Sequence, residues 1–168
     1  MQPNESNEKK LVLSLGSNLG NRYTYLKQAI ETIEQRLGAK ATVAHFYETP
    51  PWGEVHQARF LNTVLYLEVN YDVEETHRIL KEIEVQLGKT KVRKWGPRCI
   101  DIDILFWGEE EVNSAELQIP HPHLHERAFV LRPLADVLPS FVHPVFKKSP
   151  GDMLQLIKDD TTVFCKSE

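Results

Sequence analysis

Apolar and polar residues alternate along this chain in two distinct rhythms. Residues 11–15, LVLSL, are a short run of strand formers that ends in Gly-Ser-Asn. Over 22–37 the period changes: Leu26, Ala29, Ile30, Ile33 and Leu37 recur at three- and four-residue steps, which predicts a helix stopped by Gly38. Residues 41–47 set Ala41, Val43 and His45 against Thr42, Ala44 and Phe46, a strand alternation. The segment 60–69, FLNTVLYLEV, is another strand. Asp72 can cap a second helix, with Glu75 three residues on as its capping-box partner. Val73, Thr76, Leu80, Ile83 and Leu87 form that helix's inward stripe, and Gly88 stops it. A strand follows at 100–107. Beyond Gly108 the pattern gives a short hairpin, a Pro- and His-rich turn at 120–125, a helix near 126–137 and another near 150–158.

The order strand, helix, strand, strand, helix, strand predicts an α+β, ferredoxin-like βαββαβ core. Both core helices then lie on one face of an antiparallel sheet. The C-terminal helices cover the other face and make three layers, α/β/α. The chain of 168 residues is read as one domain, 1–168, with the first ten residues and the last few frayed. Two segments, 48–59 and 88–98, are longer than simple connections need, and loops of that length are often lids or binding segments.

Charge narrows the function. The net charge of −4 gives no global pull toward nucleic acid or a membrane surface. No apolar run is long enough to span a bilayer, and the opening MQPNESNEKK lacks the apolar core of a signal peptide. Cys99 and Cys165 follow no disulfide or metal-ligand spacing, so a reducing, cytoplasmic setting is expected.

Against that background, the stretch WGPRCIDIDILFW at 95–107 stands out. Strand alternation puts Ile100, Ile102, Ile104 and Phe106 on one face and Asp101, Asp103, Leu105 and Trp107 on the other. The two aspartates then lie roughly 7 Å apart at their Cα atoms, and like charges so placed repel. A divalent cation removes the repulsion. Two Mg²⁺ ions about 4 Å apart could be bridged by such a pair, each also taking phosphate oxygens and water. An isolated D-x-D is more often simply exposed on a half-solvated sheet. Here, however, Lys89, Lys91, Arg93, Lys94 and Arg98 place five positive charges in the ten residues 89–98. Taken alone that run reads as a solvated loop; beside a metal-binding pair it describes a polyphosphate site. Gly16-Ser-Asn-Leu-Gly20 has neither Walker A nor G-x-G-x-x-G spacing, so side chains and metal would hold the phosphates.

These residues resemble a known family. Lys94-Trp-Gly-Pro-Arg-Cys-Ile-Asp-Ile-Asp-Ile-Leu105 is similar to the signature of the 6-hydroxymethyl-7,8-dihydropterin pyrophosphokinases of folate biosynthesis. Leu15-Gly-Ser-Asn-Leu19, Tyr47-Glu-Thr-Pro-Pro-Trp-Gly53, Phe60-Leu-Asn62, Pro120-His-Pro-His and Arg127-Ala-Phe-Val-Leu-Arg-Pro-Leu134 resemble the family's other blocks, in order, across residues 11–150. The resemblance implies transfer of pyrophosphate from ATP to the hydroxymethyl group of a reduced pterin, with release of AMP. It implies two Mg²⁺ ions held by Asp101 and Asp103. Arg98, His121 and Arg127 would contact the ATP phosphates, and these five residues form the implied catalytic set. Trp95 would lie in a loop that closes over the site. Ile104 would line the ATP site, and Glu84 matches a position near the phosphate-binding cluster. Phe60 and Phe129 would sandwich the pterin ring. Asn62 would bond the pterin's amide-like edge, and Thr49, Pro50 and Trp52 would add contacts.

Three features depart from the family pattern. Lys89 stands where an arginine is expected, keeping the charge but losing the bidentate fork. The loop between Gly88 and Trp95 is shorter by about one residue. Phe60 replaces a tyrosine found in some relatives. Other readings are plainer. Phe60 and Phe129 taken alone read as core. His121, His123 and His125 alternate as zinc ligands might, but Pro120 and Pro122 break a regular strand. Ser17 and Asn18 read equally well as caps of the first helix, and Trp107 as packing. A nucleotidyltransferase also pairs a Gly-Ser motif with D-x-D, though usually close together; here Gly16-Ser17 lies more than eighty residues upstream of Asp101. A ferredoxin-like RNA-binding module would need an aromatic-rich sheet that this sequence lacks. The expected partners are therefore ATP and a reduced pterin, with no nucleic acid, no membrane and a monomeric chain.

Overall fold

The computed structural model describes residues 8–50, 58–88, 99–157 and the backbone of 164–166. Strand β1 spans Lys9–Ser17, helix α1 Arg22–Leu37, β2 Thr42–Val43, β3 Phe46–Thr49, β4 Phe60–Val69, α2 Val73–Gln86 and β5 Asp101–Trp107. A hairpin of β6 (Val112–Asn113) and β7 (Gln118–Ile119) follows, then a 3₁₀ turn at Leu124–Glu126, α3 (Ala128–Val137), α4 (Pro150–Leu156) and β8 (Phe164–Lys166).

The main sheet runs β5-β1-β4-β3-β8, with β2 also on β4, and every pairing is antiparallel. Counted as core strands, that is the fourth, first, third and second, the order of a ferredoxin-like fold. Alternation along β1 and β4 divides the interior in two. Leu11, Leu13, Leu15, Leu65 and Leu67 meet Leu26, Ala29, Ile33, Leu80 and Ile83 of α1 and α2. On the opposite face Val12, Val64 and Phe106 meet Val130, Leu131 and Leu134 of α3 and Met153 of α4. The expected three layers are present. The Tyr47 hydroxyl donates to Asp136 at 2.6 Å and ties α3 to β3.

Local details correct several expectations. The first helix is capped by Asn21, whose side chain accepts from the Thr24 N–H at 3.1 Å. Ser17 instead ends β1, and the Asn18 amide donates to the Ala58 carbonyl at 3.1 Å. Asp72 does cap α2, but the Glu75 carboxylate turns to Arg78 rather than back to the cap. The strand expected over 41–47 is broken into β2 and β3, because the Thr63 hydroxyl reaches the carbonyls of Ala44 and His45 at 3.2 Å each. Lys9 and Lys10, expected to fray, extend β1. Near the other end, 164–166 pair with Phe46–Glu48 as an additional strand.

The largest correction lies in β5. Val12 pairs with Phe106, but Leu13 pairs with Ile104, so Leu105 is an extra residue at a β-bulge. The face assignment flips beyond it. Trp107, 3% exposed, packs with Ile100, Ile102 and Ile104 on the α1/α2 side, while Leu105 and Phe106 both face α3. Asp101 and Asp103 precede the bulge and keep the face that alternation gives them.

Candidate active site

Asp101 and Asp103 occupy the start of β5, an edge strand, on the face that α3 only partly covers. Both carboxylates are half-buried. Register places Asp101 opposite Gly16 of β1, and Gly16 opposite Asn62 of β4; Asp103 stands opposite Ser14. Asn62 and Asp101 are thus two strand spacings apart, about 10 Å, on one sheet face with a glycine between them.

At the Asn62 end, the side-chain amide donates to the Thr49 hydroxyl at 2.9 Å. Both side chains are buried. Among the described residues this is the amide's one hydrogen bond, which leaves a second N–H and the carbonyl oxygen for a planar partner carrying both an acceptor and a donor. Phe60 opens β4 beside them, and Pro50 follows β3; each is half-buried. Phe129 sits in the first turn of α3, and the Arg127 guanidinium lies 5.7 Å from its ring centre. Trp52 lies outside the described residues.

At the Asp103 end, a cavity of about 460 Å³ runs along the open edge of β5. Ile102, Asp103 and Ile104 form one wall, His77 and Lys81 of α2 another, and the β6–β7 turn with His121 the rest. The His121 Nδ1 accepts from the His123 N–H at 3.1 Å. Burial above all, helped by the Arg127 guanidinium nearby, holds His121 down at about 4. At neutral pH the ring is therefore uncharged, with its proton on Nε2, where it can donate. Burial also lowers the pKa of Arg127, against the opposing charges of Asp103 and Glu126. A guanidinium stays charged even so.

Glu84, 2% exposed, reaches β5 from the last turn of α2. Its carboxylate accepts from the Ile102 N–H at 3.3 Å and from Lys81 at 3.0 Å. Ile102 lies between the two aspartates, so Glu84 holds the edge strand at the point where both project. Arg98, Lys89 and Trp95 lie outside the described residues. The structure brings together Asp101, Asp103, Ile104, His121, Arg127 and Glu84 at one end, and Thr49, Phe60 and Asn62 at the other. His77 and Lys81 were not expected here. Their signal was a polar stripe, His77, Lys81 and Glu84, at steps of four and three beside the apolar stripe of the same helix.

No group of three or more His, Cys, Asp or Glu side chains suited to a metal occurs among the described residues. A pair of carboxylates nevertheless suits Mg²⁺, which takes one or two carboxylates and completes its shell with water and substrate phosphates.

Residues 12–139 match the family described as 7,8-dihydro-6-hydroxymethylpterin-pyrophosphokinase, HPPK. The chain belongs to that family. It is 40% identical over 126 residues to the 2-amino-4-hydroxy-6-hydroxymethyldihydropteridine pyrophosphokinase of Bacillus subtilis, spanning 74% of this chain and 75% of the relative. It is 38% identical over 136 residues to the enzyme of the same name from Aquifex aeolicus, spanning 81% and 84%. In fold it is similar to Plasmodium falciparum HPPK-DHPS with pteroate, at a TM-score of 0.71 and 15% identity over 89% of this chain. It spans only 42% of that longer chain, so this likeness concerns the HPPK fold alone. The implied class, a pyrophosphokinase of folate biosynthesis, is that of the HPPK family, and the α+β expectation holds. The HPPK assignment also sets aside the nucleotidyltransferase reading. The argument from sequence distance does not, because Gly16 stands directly opposite Asp101 in the sheet.

Proposed function

We propose that this chain transfers the pyrophosphoryl group of ATP to the hydroxymethyl group of 6-hydroxymethyl-7,8-dihydropterin, giving the pterin diphosphate and AMP. The observation that carries the reading is the cross-strand row Asn62–Gly16–Asp101, which sets an amide-reading side chain and a carboxylate pair on one face.

The pterin's flat ring lies between Phe60 and Phe129, with its amide-like edge on Asn62 and further contacts from Thr49, Pro50 and Trp52. Its hydroxymethyl group then points along the row toward β5. ATP occupies the cavity at the β5 edge, against Ile104, His77 and Lys81. Asp101 and Asp103 would hold two Mg²⁺ ions, which would offset charge on the phosphate oxygens. His121 donates from Nε2 to a phosphate oxygen, and Arg127 adds positive charge over the transferring group. Arg98, Lys89 and Trp95 belong to the segment expected to close over ATP. No side chain is assigned as a general base. Arg127 and His121 position the phosphates so that the pterin oxygen attacks the β-phosphorus in line, its proton passing to water, while the bond from that phosphorus to the α–β bridging oxygen breaks and AMP leaves with that oxygen. No helix among the described residues is long and apolar enough to cross a membrane. The proposal extends to a monomer working in the cytoplasm on small molecules alone.

The test mixes the protein with ATP, Mg²⁺ and the reduced pterin and separates the products. AMP and pterin diphosphate should appear in equal amounts. Release of inorganic pyrophosphate with a nucleotidylated product would sink the proposal.

A further inference from the structure

Gly16 is the one residue in the Asn62–Gly16–Asp101 row without a side chain, and its backbone gives no reason for that. It lies in the extended β1 strand and is not among the glycines with positive φ. An L-residue would fit its conformation, and glycine inside a strand ordinarily costs stability. The reason lies across the strand. A Cβ at position 16 would fall 2.8 Å from the Asn62 Oδ1, closer than real Cβ atoms come, and 3.7 Å from Cδ1 of Phe60. The obstacle is thus the end of a side chain that can rotate, not backbone. Asn62 is held in that position from its other side, by its hydrogen bond to Thr49.

We propose that Gly16 is a specificity-determining position: its missing side chain lets the Asn62 amide stay in the orientation that Thr49 fixes, and this orientation reads the pterin. The inference rests on the pterin site proposed above. Any side chain at 16 is accommodated by turning Asn62, which breaks the bond to Thr49 and moves both free polar groups of the amide. The fold and the pterin site therefore want opposite things at this position. Alanine would suit the strand, while only glycine suits recognition.

The experiment is a double-mutant cycle on Gly16→Ala and Asn62→Ala, reading pterin affinity by titration calorimetry, Mg·ATP affinity with a non-hydrolysable analogue, and the thermal midpoint. Gly16→Ala should keep or raise the midpoint, leave Mg·ATP affinity within about twofold, and weaken pterin binding about 10- to 100-fold. Asn62→Ala should weaken pterin binding by a similar factor. The double variant should be no worse than Asn62→Ala, because the alanine methyl then meets nothing that matters. Thr49→Val, which releases the amide from the other side, should also weaken pterin binding without touching Mg·ATP. Normal pterin binding by Gly16→Ala, beside a weakened Asn62→Ala, overturns the inference and leaves the pterin site standing. Normal binding by Asn62→Ala overturns the pterin site itself. Fully additive losses, lost Mg·ATP affinity or an unfolded Gly16→Ala would each show that the methyl meets something other than a movable amide, and would also overturn it.

Discussion

The two faces of the central sheet are made by the same strands, yet they are built to different rules. On the α1/α2 face, the inward positions of β1 and β4 are almost all aliphatic, and two helices cover them along their length. On the α3 face, the same strands present Val12, Val64 and Phe106 under α3, then turn polar: Ser14, Gly16, Asn62, Thr49, Asp101 and Asp103. One face repeats a single physical solution, the exclusion of water. The other joins an apolar patch under α3 to a set of polar and charged groups that need partners. A sheet can therefore carry a reactive site without losing its core, provided the apolar face is complete.

That contrast can be broken most sharply at the carboxylates. Asp101→Ala and Asp103→Ala should each lower turnover by about a thousandfold or more, since each removes a Mg²⁺ ligand. The thermal midpoint should change little, because relief of the like-charge pair offsets the lost attraction, such as that between Asp103 and Arg127. A parallel loss of stability would mean that the aspartates hold the fold rather than the metal.

The closed face should behave in the opposite way. Ile83→Ala, at a fully buried position in α2, should cost about 2–5 kcal/mol in denaturant unfolding. The remaining folded molecules should retain their pterin affinity.

Glu84 joins the two regimes, since it leaves α2 to hold the edge strand. Glu84→Ala strips the acceptor from the Ile102 N–H and from Lys81, and should cost about 1–3 kcal/mol of stability. It should also raise the Mg²⁺ concentration needed for half-maximal rate, by loosening the strand between Asp101 and Asp103. An unchanged Mg²⁺ requirement would confine Glu84 to the fold.

The smallest effect concerns pH. Burial holds His143 at about 4, below its ordinary 6.5, and its Nδ1 accepts from the N–H groups of Val145 and Phe146. The unfolded chain binds this proton more readily, so the contribution is present above pH 6.5 and is lost as pH falls toward 4. Urea titrations at several pH values should show a gentler slope across that window for His143→Asn, which keeps an acceptor and cannot be charged. Equal slopes would remove His143 from the acid sensitivity.

Much of this molecule was legible in the chain. The helix over 22–37 and the strand over 60–69 match the structure residue for residue: helical periodicity and the stopping Gly38 define the first, and an unbroken run of strand formers defines the second. The aspartate pair was legible because two charges broke a run of isoleucines. The bulge at Leu105 was not. Nothing in DIDILFW marks where the ladder slips, and the slip exchanges the faces of Phe106 and Trp107. The split at Ala44 was hidden likewise, because it depends on a hydroxyl from Thr63, nineteen residues away. His77 and Lys81 were passed over because a polar helix stripe ordinarily faces water; here the edge of β5 gives it a cavity to line.

The sequence by itself determined the helices and most of the strands, the family and the chemical types available: carboxylates for metal, basic groups for phosphate, an amide and aromatic rings for a flat heterocycle. These are properties of short stretches, set by side-chain period and residue type. Only the tertiary structure decided that Gly16, Asn62 and Asp101 form one row, that Glu84 clasps the strand between two aspartates, and that Gly16 has to be bare. Those facts follow from strand register, and register is fixed jointly by residues distant in sequence whose buried faces must match at once.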